Sequence, residues 1–227
     1  PRGEFDAGAL SIRGTKKKLY IFLARYLRLY RDVVWHATCD DEQDSIRSIF
    51  GPSCNVHRIP NLVNRCPDKN FLVSEYRRNS SVLRLVFASR VSEKKNLLFL
   101  LECLSSVDFS VTLDIYGAID SNSYWSRCLY IIEKLPSNVS VEYKGVVSHF
   151  QLFQKLPSYD LFVLPTLGEN FGHAIFDSLL CGVPVLISNR TPWRDQDSVI
   201  YVSELDIFEW RSSLTNIYNM GPDEFLQ

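Results

Sequence analysis

Residues 161–189 read LFVLPTLGENFGHAIFDSLLCGVPVLISN, and their reading decides the fold. Leu161 to Pro165 is a short apolar run ending in proline, and Pro184 to Ser188 (PVLIS) is a second. Such runs, with no polar alternation, suit strands buried on both faces of a parallel sheet. Between them, from Phe171, the apolar residues Ala174, Ile175, Phe176, Leu179 and Leu180 recur at helical spacing. Gly182 followed by Val183 and Pro184 is a stop signal. The stretch is therefore predicted to be strand, turn, helix, strand.

The turn, Thr166 to Gly172, carries the chemistry. Gly168 and Gly172 let the backbone approach a ligand closely, and the amides of Asn170, Phe171 and Gly172 stand where a helix opens. Negative charge is favoured at such a place. Glu169 and Asp177 are eight residues apart, a rise of roughly 12 Å along a helix, which is near the span of a nucleotide diphosphate sugar from ribose to hexose. One carboxylate is available for each end. Taken singly, Glu169 also reads as a solvated turn acid and Asp177 as a surface position; it is their combination with the glycines and the flanking runs that points to a site.

The 227-residue chain is 46% apolar and 22% charged, the composition of an ordinary globular protein with room for one large domain or one and a half. A net charge of −1 argues against a general nucleic-acid binder, although residues 1–35 alone hold eight basic and three acidic side chains. Six cysteines, Cys39, Cys54, Cys66, Cys103, Cys128 and Cys181, form no C-x-x-C pair. They read as free thiols of a reducing compartment, and no metal site is expected. No apolar run reaches the length of a membrane span. His36, His57, His149 and His173 are scattered without a partnering nucleophile, so a hydrolase has no support.

Along the chain, residues 1–14 read as a loop. Lys16 to Arg31 (KKKLYIFLARYLRLYR) reads as a helix with Leu19, Phe22, Leu23, Tyr26, Leu27 and Tyr30 on one face and Lys17, Lys18, Arg25, Arg28 and Arg31 opposite. Its apolar face is expected to cover a sheet, with the basic face free to meet anionic headgroups at a membrane surface. Strand, helix and strand follow at 33–38, 40–50 and 55–60. Leu83 to Ser89 is a buried strand running into Arg90-Val-Ser-Glu-Lys-Lys95-Asn96, and a strand end, cationic loop and helix start make a phosphate geometry. Helices at 96–104, 124–135 and 206–219 and strands at 111–116, 139–143 and 199–202 complete an alternating pattern. That pattern predicts an α/β fold with a doubly wound parallel sheet.

GENFGHAIFDSLLCGVPVLIS resembles the donor-site motif of the family-four retaining glycosyltransferases, which have two Rossmann-like domains (the GT-B fold). The resemblance implies that Glu169 contacts hydroxyls of the donor sugar, that the amides of Asn170, Phe171 and Gly172 contact sugar and diphosphate, and that Asp177 binds the ribose. The family's second glutamate is here an aspartate, one methylene shorter. It further implies that Arg90 and Lys95 bind the diphosphate, while Lys94 faces solvent, and that Gly117, Gly145 and Val146 border the base. HATCDDE and IPNLVN resemble the end of the acceptor-side domain and its hinge, with the boundary at Asn61 to Asp68. Residues 1–64 are then the remnant of an N-terminal acceptor domain and 65–227 a donor-binding domain lacking its last helix. Arg2, in a loop matching that domain, is an acceptor or phosphate contact or a solvated terminal arginine, and TPWR at 191–194 resembles a segment of bacterial members.

The implied activity is sugar transfer, with retention, from a UDP- or GDP-linked donor to a saccharide or lipid-linked acceptor. It uses no cofactor or metal, and it is cytoplasmic with peripheral contact to the inner membrane face through Lys16 to Arg31. The chain by itself, holding mostly the donor half, is expected to be inactive. A nucleotide-sugar epimerase and a lapsed nucleotide-sugar-binding subunit are the alternatives.

Overall fold

The computed structural model describes residues 14–38, 40–59, 81–195 and 199–220. Arg2, the loop around it and the expected boundary at Asn61 to Asp68 lie outside them. The chain divides into two compact units. One comprises residues 1–64, 167–171 and 190–192; the other comprises 65–166, 172–189 and 193–227.

In the first unit, helix α1 (Gly14–Tyr26) is followed by strand β1 (Trp35–Ala37), helix α2 (Asp40–Phe50) and strand β2 (Val56–Arg58). The two strands pair in parallel, Trp35 opposite Val56. Trp35, Ala37 and Ile46 form a small core against Tyr30, Phe50, Cys54 and Val56, with the Trp35 and Phe50 rings stacked at 4.7 Å. The start of α2 is held by one of its own acids: buried Glu42 accepts from both the N–H and the hydroxyl of Thr38, each at 2.8 Å.

Helix α1 ends five residues before the expected Arg31. Leu29 N–H donates to the Ala24 carbonyl at 3.0 Å and Arg28 N–H to Arg25 at 3.1 Å, while Arg28 takes a left-handed φ of 52°. This is a Schellman turn with arginine where glycine is usual. The apolar stripe does not cover a sheet either. Leu19, Phe22 and Tyr26 are 60%, 65% and 78% exposed, and of the helix only Ala24 is buried. Among the described residues this unit holds two three-residue strands, too narrow a surface to receive it.

The second unit is a six-stranded parallel sheet: β3 (Val82–Ala88), β4 (Ser110–Tyr116), β5 (Val139–Gly145), β6 (Leu161–Leu164), β7 (Val185–Ser188) and β8 (Ile200–Ser203). The spatial order is β5-β4-β3-β6-β7-β8. Counted within the unit this is 3-2-1-4-5-6, the order of doubly wound dinucleotide-binding sheets. The crossovers are α3 (Leu97–Leu104), α4 (Asn122–Ile132), α5 (His149–Lys155) and α6 (His173–Leu180), and α7 (Ile207–Asn219) follows β8. α3 packs on α4 and α7, with Phe99 edge-on to Trp210 at 5.6 Å. α5 and α6 are tied by Cys181 Sγ, which donates to the Phe153 carbonyl at 3.6 Å. Strands β6 and β7 are buried at every residue because both sheet faces are covered, and that is why they read as continuous apolar runs.

Sequence reading did not find α5. A helix is required there, since parallel strands need a crossover, and Ser148 opens it with a capping box in which Ser148 and Gln151 cap each other. α4 starts two residues before the expected Tyr124 and ends three before Leu135, with Ser121 as its N-cap.

At the amino ends of β3 and β6 lies a buried polar lock. Fully buried Asp160 accepts from Arg84 backbone N–H at 2.6 Å and from its guanidinium at 3.2 and 3.3 Å, and Asp160 N–H donates to the Arg84 carbonyl at 2.8 Å. Burial pushes the Asp160 carboxyl up to about 6, against the pull of the Arg84 N–H. Asp160→Ala leaves that backbone donor without a partner and is expected to cost about 1–3 kcal/mol. Asp160→Asn, which keeps one acceptor oxygen, should cost less, with urea denaturation as the measurement.

Candidate functional site

In an open α/β sheet the ligand crevice lies outside the carboxyl ends of the strands, where the strand order reverses. Here that point is between β3 and β6. The loop after β3 carries Arg90 and, in a 3-10 turn at Glu93–Lys95, Lys95. The chain after β6 leads to Gly172, which takes a left-handed φ of 80° immediately before α6. Thr166 joins the two: its buried hydroxyl donates to the Lys94 carbonyl at 3.2 Å, and its own carbonyl accepts from Ser188 at the end of β7 at 2.6 Å. The cationic loop and the chain leaving β6 are thereby joined at one edge of one sheet.

Backbone bonds lace the neighbouring loops to the same edge. Ser89 N–H donates to Tyr116, Val91 N–H to Ala118, Asp120 N–H to Val91, and Gly117 N–H to Gly145, all between 2.8 and 3.1 Å. Gly117 cannot be anything larger: at φ +137° an added Cβ would meet the Ser89 carbonyl oxygen at 2.0 Å. Below it the Tyr116 hydroxyl meets that of Tyr159 at 2.8 Å, and Tyr159 donates to Asp114 at 2.7 Å. Burial raises the Tyr159 phenol well above its ordinary range, so it stays neutral.

Arg90 Nη1 donates to Asp120 Oδ2 at 2.9 Å, with the arginine side chain 66% exposed. An ion pair this exposed is worth about 0–1 kcal/mol, so it orients the guanidinium without removing it from an incoming anion. Lys94 and Lys95 are both half-buried, so Lys94 does not stand out as the solvent-facing neighbour. Gly145 closes β5 and Val146 is exposed beyond it.

Of the residues singled out from sequence, Arg90, Lys95, Gly117, Gly145, Val146, Gly172 and Asp177 belong to the second unit. Glu169, Asn170 and Phe171 group with the first, where Glu169 N–H donates to the Arg190 carbonyl at 2.9 Å. The Asn170 side-chain nitrogen is buried without a hydrogen-bond partner. Such orphans are rare and call for an explanation, an acceptor on a ligand being one. Asp177 is buried in α6 and its carboxylate is engaged by His149 at 2.8 Å. Two contributors escaped sequence reading. Asp120 gave no signal, whereas the Ser148-x-x-Gln151 box would have placed His149 at a helix start. Among the described residues no three His, Cys, Asp or Glu side chains are grouped to hold a metal.

A doubly wound sheet with a cationic loop and a glycine-led helix at its switch point defines a Rossmann-like α/β protein. Residues 83–218, more than half the chain, match the family model described as glycosyl transferases group 1. The chain belongs to that family, and its fold is the Rossmann-like fold of GT-B glycosyltransferases. No curated protein matches it. Among solved structures it is similar to sucrose-phosphate synthase from Thermosynechococcus elongatus, at 15% identity and a TM-score of 0.66 over 80% of this chain and 48% of that one. It is similar also to Anabaena HepE in complex with UDP and glucose, at 17% and 0.69 over 90% and 57%. A third is an S. aureus TarM variant in complex with fondaparinux, alpha-GlcNAc-glycerol and UDP, at 16% and 0.65 over 84% and 38%. The chain thus spans about half the length of the first two and less of the third.

Gly117→Ala is expected to destabilise the unit by about 1–3 kcal/mol, the range for overpacking a tight site. Hydrogen exchange at the Val91 and Asp120 amides should accelerate selectively, since their bonds join the two loops that the new methyl forces apart.

Proposed function

We propose that this chain is the donor-binding part of a retaining hexosyl-type glycosyltransferase, moving a sugar from a nucleotide diphosphate donor, UDP- or GDP-linked, to a saccharide or lipid-linked acceptor. The observation that carries the reading is the Thr166 bridge, which joins the Arg90–Lys95 loop to the chain leaving β6, ahead of the helix that opens at Gly172. In this reading the diphosphate lies across that edge. Arg90 offers a planar fork and Lys95 a mobile point charge. Gly172 lets the first amides of α6 face the phosphates.

The sugar–phosphate bond loosens first, and the acceptor arrives on the face that the phosphate leaves. The barrier is therefore governed by how well the leaving diphosphate is stabilised. Positive groups held in place by the fold are suited to this because they need no reorganisation as charge develops. Glu169 takes sugar hydroxyls, the orphaned Asn170 nitrogen donates to the donor, the Phe171 amide joins them, and Gly117, Gly145 and Val146 border the base. No cofactor or metal takes part.

The acceptor reading draws on the first unit. There an open cavity of about 380 Å³ is lined by Arg25, Arg28 and Arg31 together with Tyr30 and Phe50, and α1 exposes Leu19, Phe22 and Tyr26. Cationic and apolar groups together suit an anionic lipid surface, and in this reading the protein works in the cytoplasm with peripheral contact at the inner membrane face, in bacterial polysaccharide assembly. No helix among the described residues is long and apolar enough to cross a membrane.

Incubating the full-length protein with UDP- and GDP-sugars distinguishes transfer from epimerised product or binding alone, and the anomeric configuration of the product tests retention. Arg90→Ala and Lys95→Ala should each lower transfer about 10²- to 10³-fold, the usual loss for one preorganised charge-stabilising contact, with unchanged unfolding midpoints. Near-normal turnover in both variants would refute the diphosphate assignment.

A further inference from the structure

Asp177 is the position to which the ribose contact falls, yet its carboxylate is not the group a ligand would reach first. Its side chain is 10% exposed, and His149 Nε2 stands 2.8 Å from Oδ2 with the imidazole 47% exposed. The ring covers the carboxylate. An aspartate also ends about 1.5 Å short of a glutamate at the same place, the length of one carbon–carbon bond, and an imidazole in front of it more than makes up that distance.

The histidine is held from two directions. His149 is the first residue of α5, whose start is fixed by the Ser148–Gln151 capping box. α5 is anchored on α6 by the Cys181 bond to the Phe153 carbonyl. Facing a carboxylate oxygen, Nε2 donates, and a neutral imidazole then presents Nδ1 as an acceptor. Among the described residues Nδ1 has no hydrogen-bond partner. A half-exposed acceptor of fixed direction suits a hydroxyl.

We propose that His149 is the residue that meets the ribose of the donor nucleotide, accepting at Nδ1 from a ribose hydroxyl, and that Asp177 is a positioning residue acting through it. This rests on the nucleotide-sugar reading above. A carboxylate that accepts two vicinal hydroxyls is replaced by a relay in which the carboxylate fixes the ring's tautomer and the ring makes the contact. A pair that merely pinned α5 to α6 would be indifferent to the sugar of the nucleotide, and this separates the two roles.

The test titrates UDP and GDP, each beside its 2′-deoxy and 3′-deoxy counterparts, into the full-length protein and into His149→Ala, His149→Phe and Lys95→Ala variants. In the wild type the ribonucleotide is expected to bind about 5-fold more tightly than at least one deoxy counterpart, within the span of one neutral hydrogen bond. In both His149 variants that preference should vanish, the deoxy form binding as before. Lys95→Ala should weaken ribo and deoxy forms alike. In ¹⁵N-histidine spectra of the wild type, which need no variant to fold, the His149 Nδ1 resonance should move with the ribonucleotide and not with the deoxy form.

A ribose preference that survives in both His149 variants, an unmoved Nδ1 resonance, or a wild type indifferent to the ribose hydroxyls would overturn the assignment and leave the nucleotide site standing. A wild type that binds neither UDP nor GDP would remove both.

Discussion

The arrangement depends on one topological constraint. Six strands run parallel, and their order reverses between β3 and β6, so the connections from these adjacent strands leave toward opposite faces and a crevice opens between them. Parallel pairing alone would leave the two connections independent of each other. Thr166 couples them, bonding through its side chain to the loop after β3 and through its carbonyl to the end of β7. A buried hydroxyl is costly to leave without its acceptor, so the coupling is specific as well as local. The loop that carries the cations and the chain leaving β6 are thereby joined at one edge of the sheet.

The two ends of this strand pair are built differently. At the amino ends, the Asp160–Arg84 lock uses side-chain and backbone groups together around a fully buried carboxylate. At the carboxyl ends main-chain bonds through Ser89, Val91, Gly117 and Asp120 lace the loops, with the Thr166 and Tyr143 hydroxyls adding bonds to the Lys94 and Gly117 carbonyls. The ion pair of Arg90 with Asp120 is exposed enough to yield to a better anion. Free thiols play no comparable part: burial pushes Cys103 to about 12 and Cys128 to about 11, so neither is a nucleophile near neutral pH.

What could be read in advance follows the range of the interactions. β6, the turn, α6 and β7 were legible because each has its own apolar period and because glycine and proline punctuate them; the parallel sheet followed from alternation. The end of α1 was not legible, since Arg28 takes the left-handed place that glycine normally marks. The exposure of α1's apolar face was equally hidden, because a helical pattern shows that a face is apolar and not what is there to cover it. α5 was missed because its apolar residues are few, although its capping box was visible. Asp120 beside Arg90 and His149 beside Asp177 are contacts between residues about thirty positions apart, and no local pattern encodes them.

The shortened carboxylate shows how these ranges interact. Read along the chain, Asp177 is a defect in a motif, one methylene lost where reach is needed. Read in space, the lost length is occupied by an imidazole supplied from the neighbouring crossover. The His149 ring stands 2.8 Å from the shorter carboxylate, close enough for the two to act as one unit. The cost of a buried carboxylate is offset by the ring nitrogen that faces it, and the ring in turn has one orientation in place of many. A departure from a motif is thus better judged by what stands in the vacated space than by the residue that was substituted.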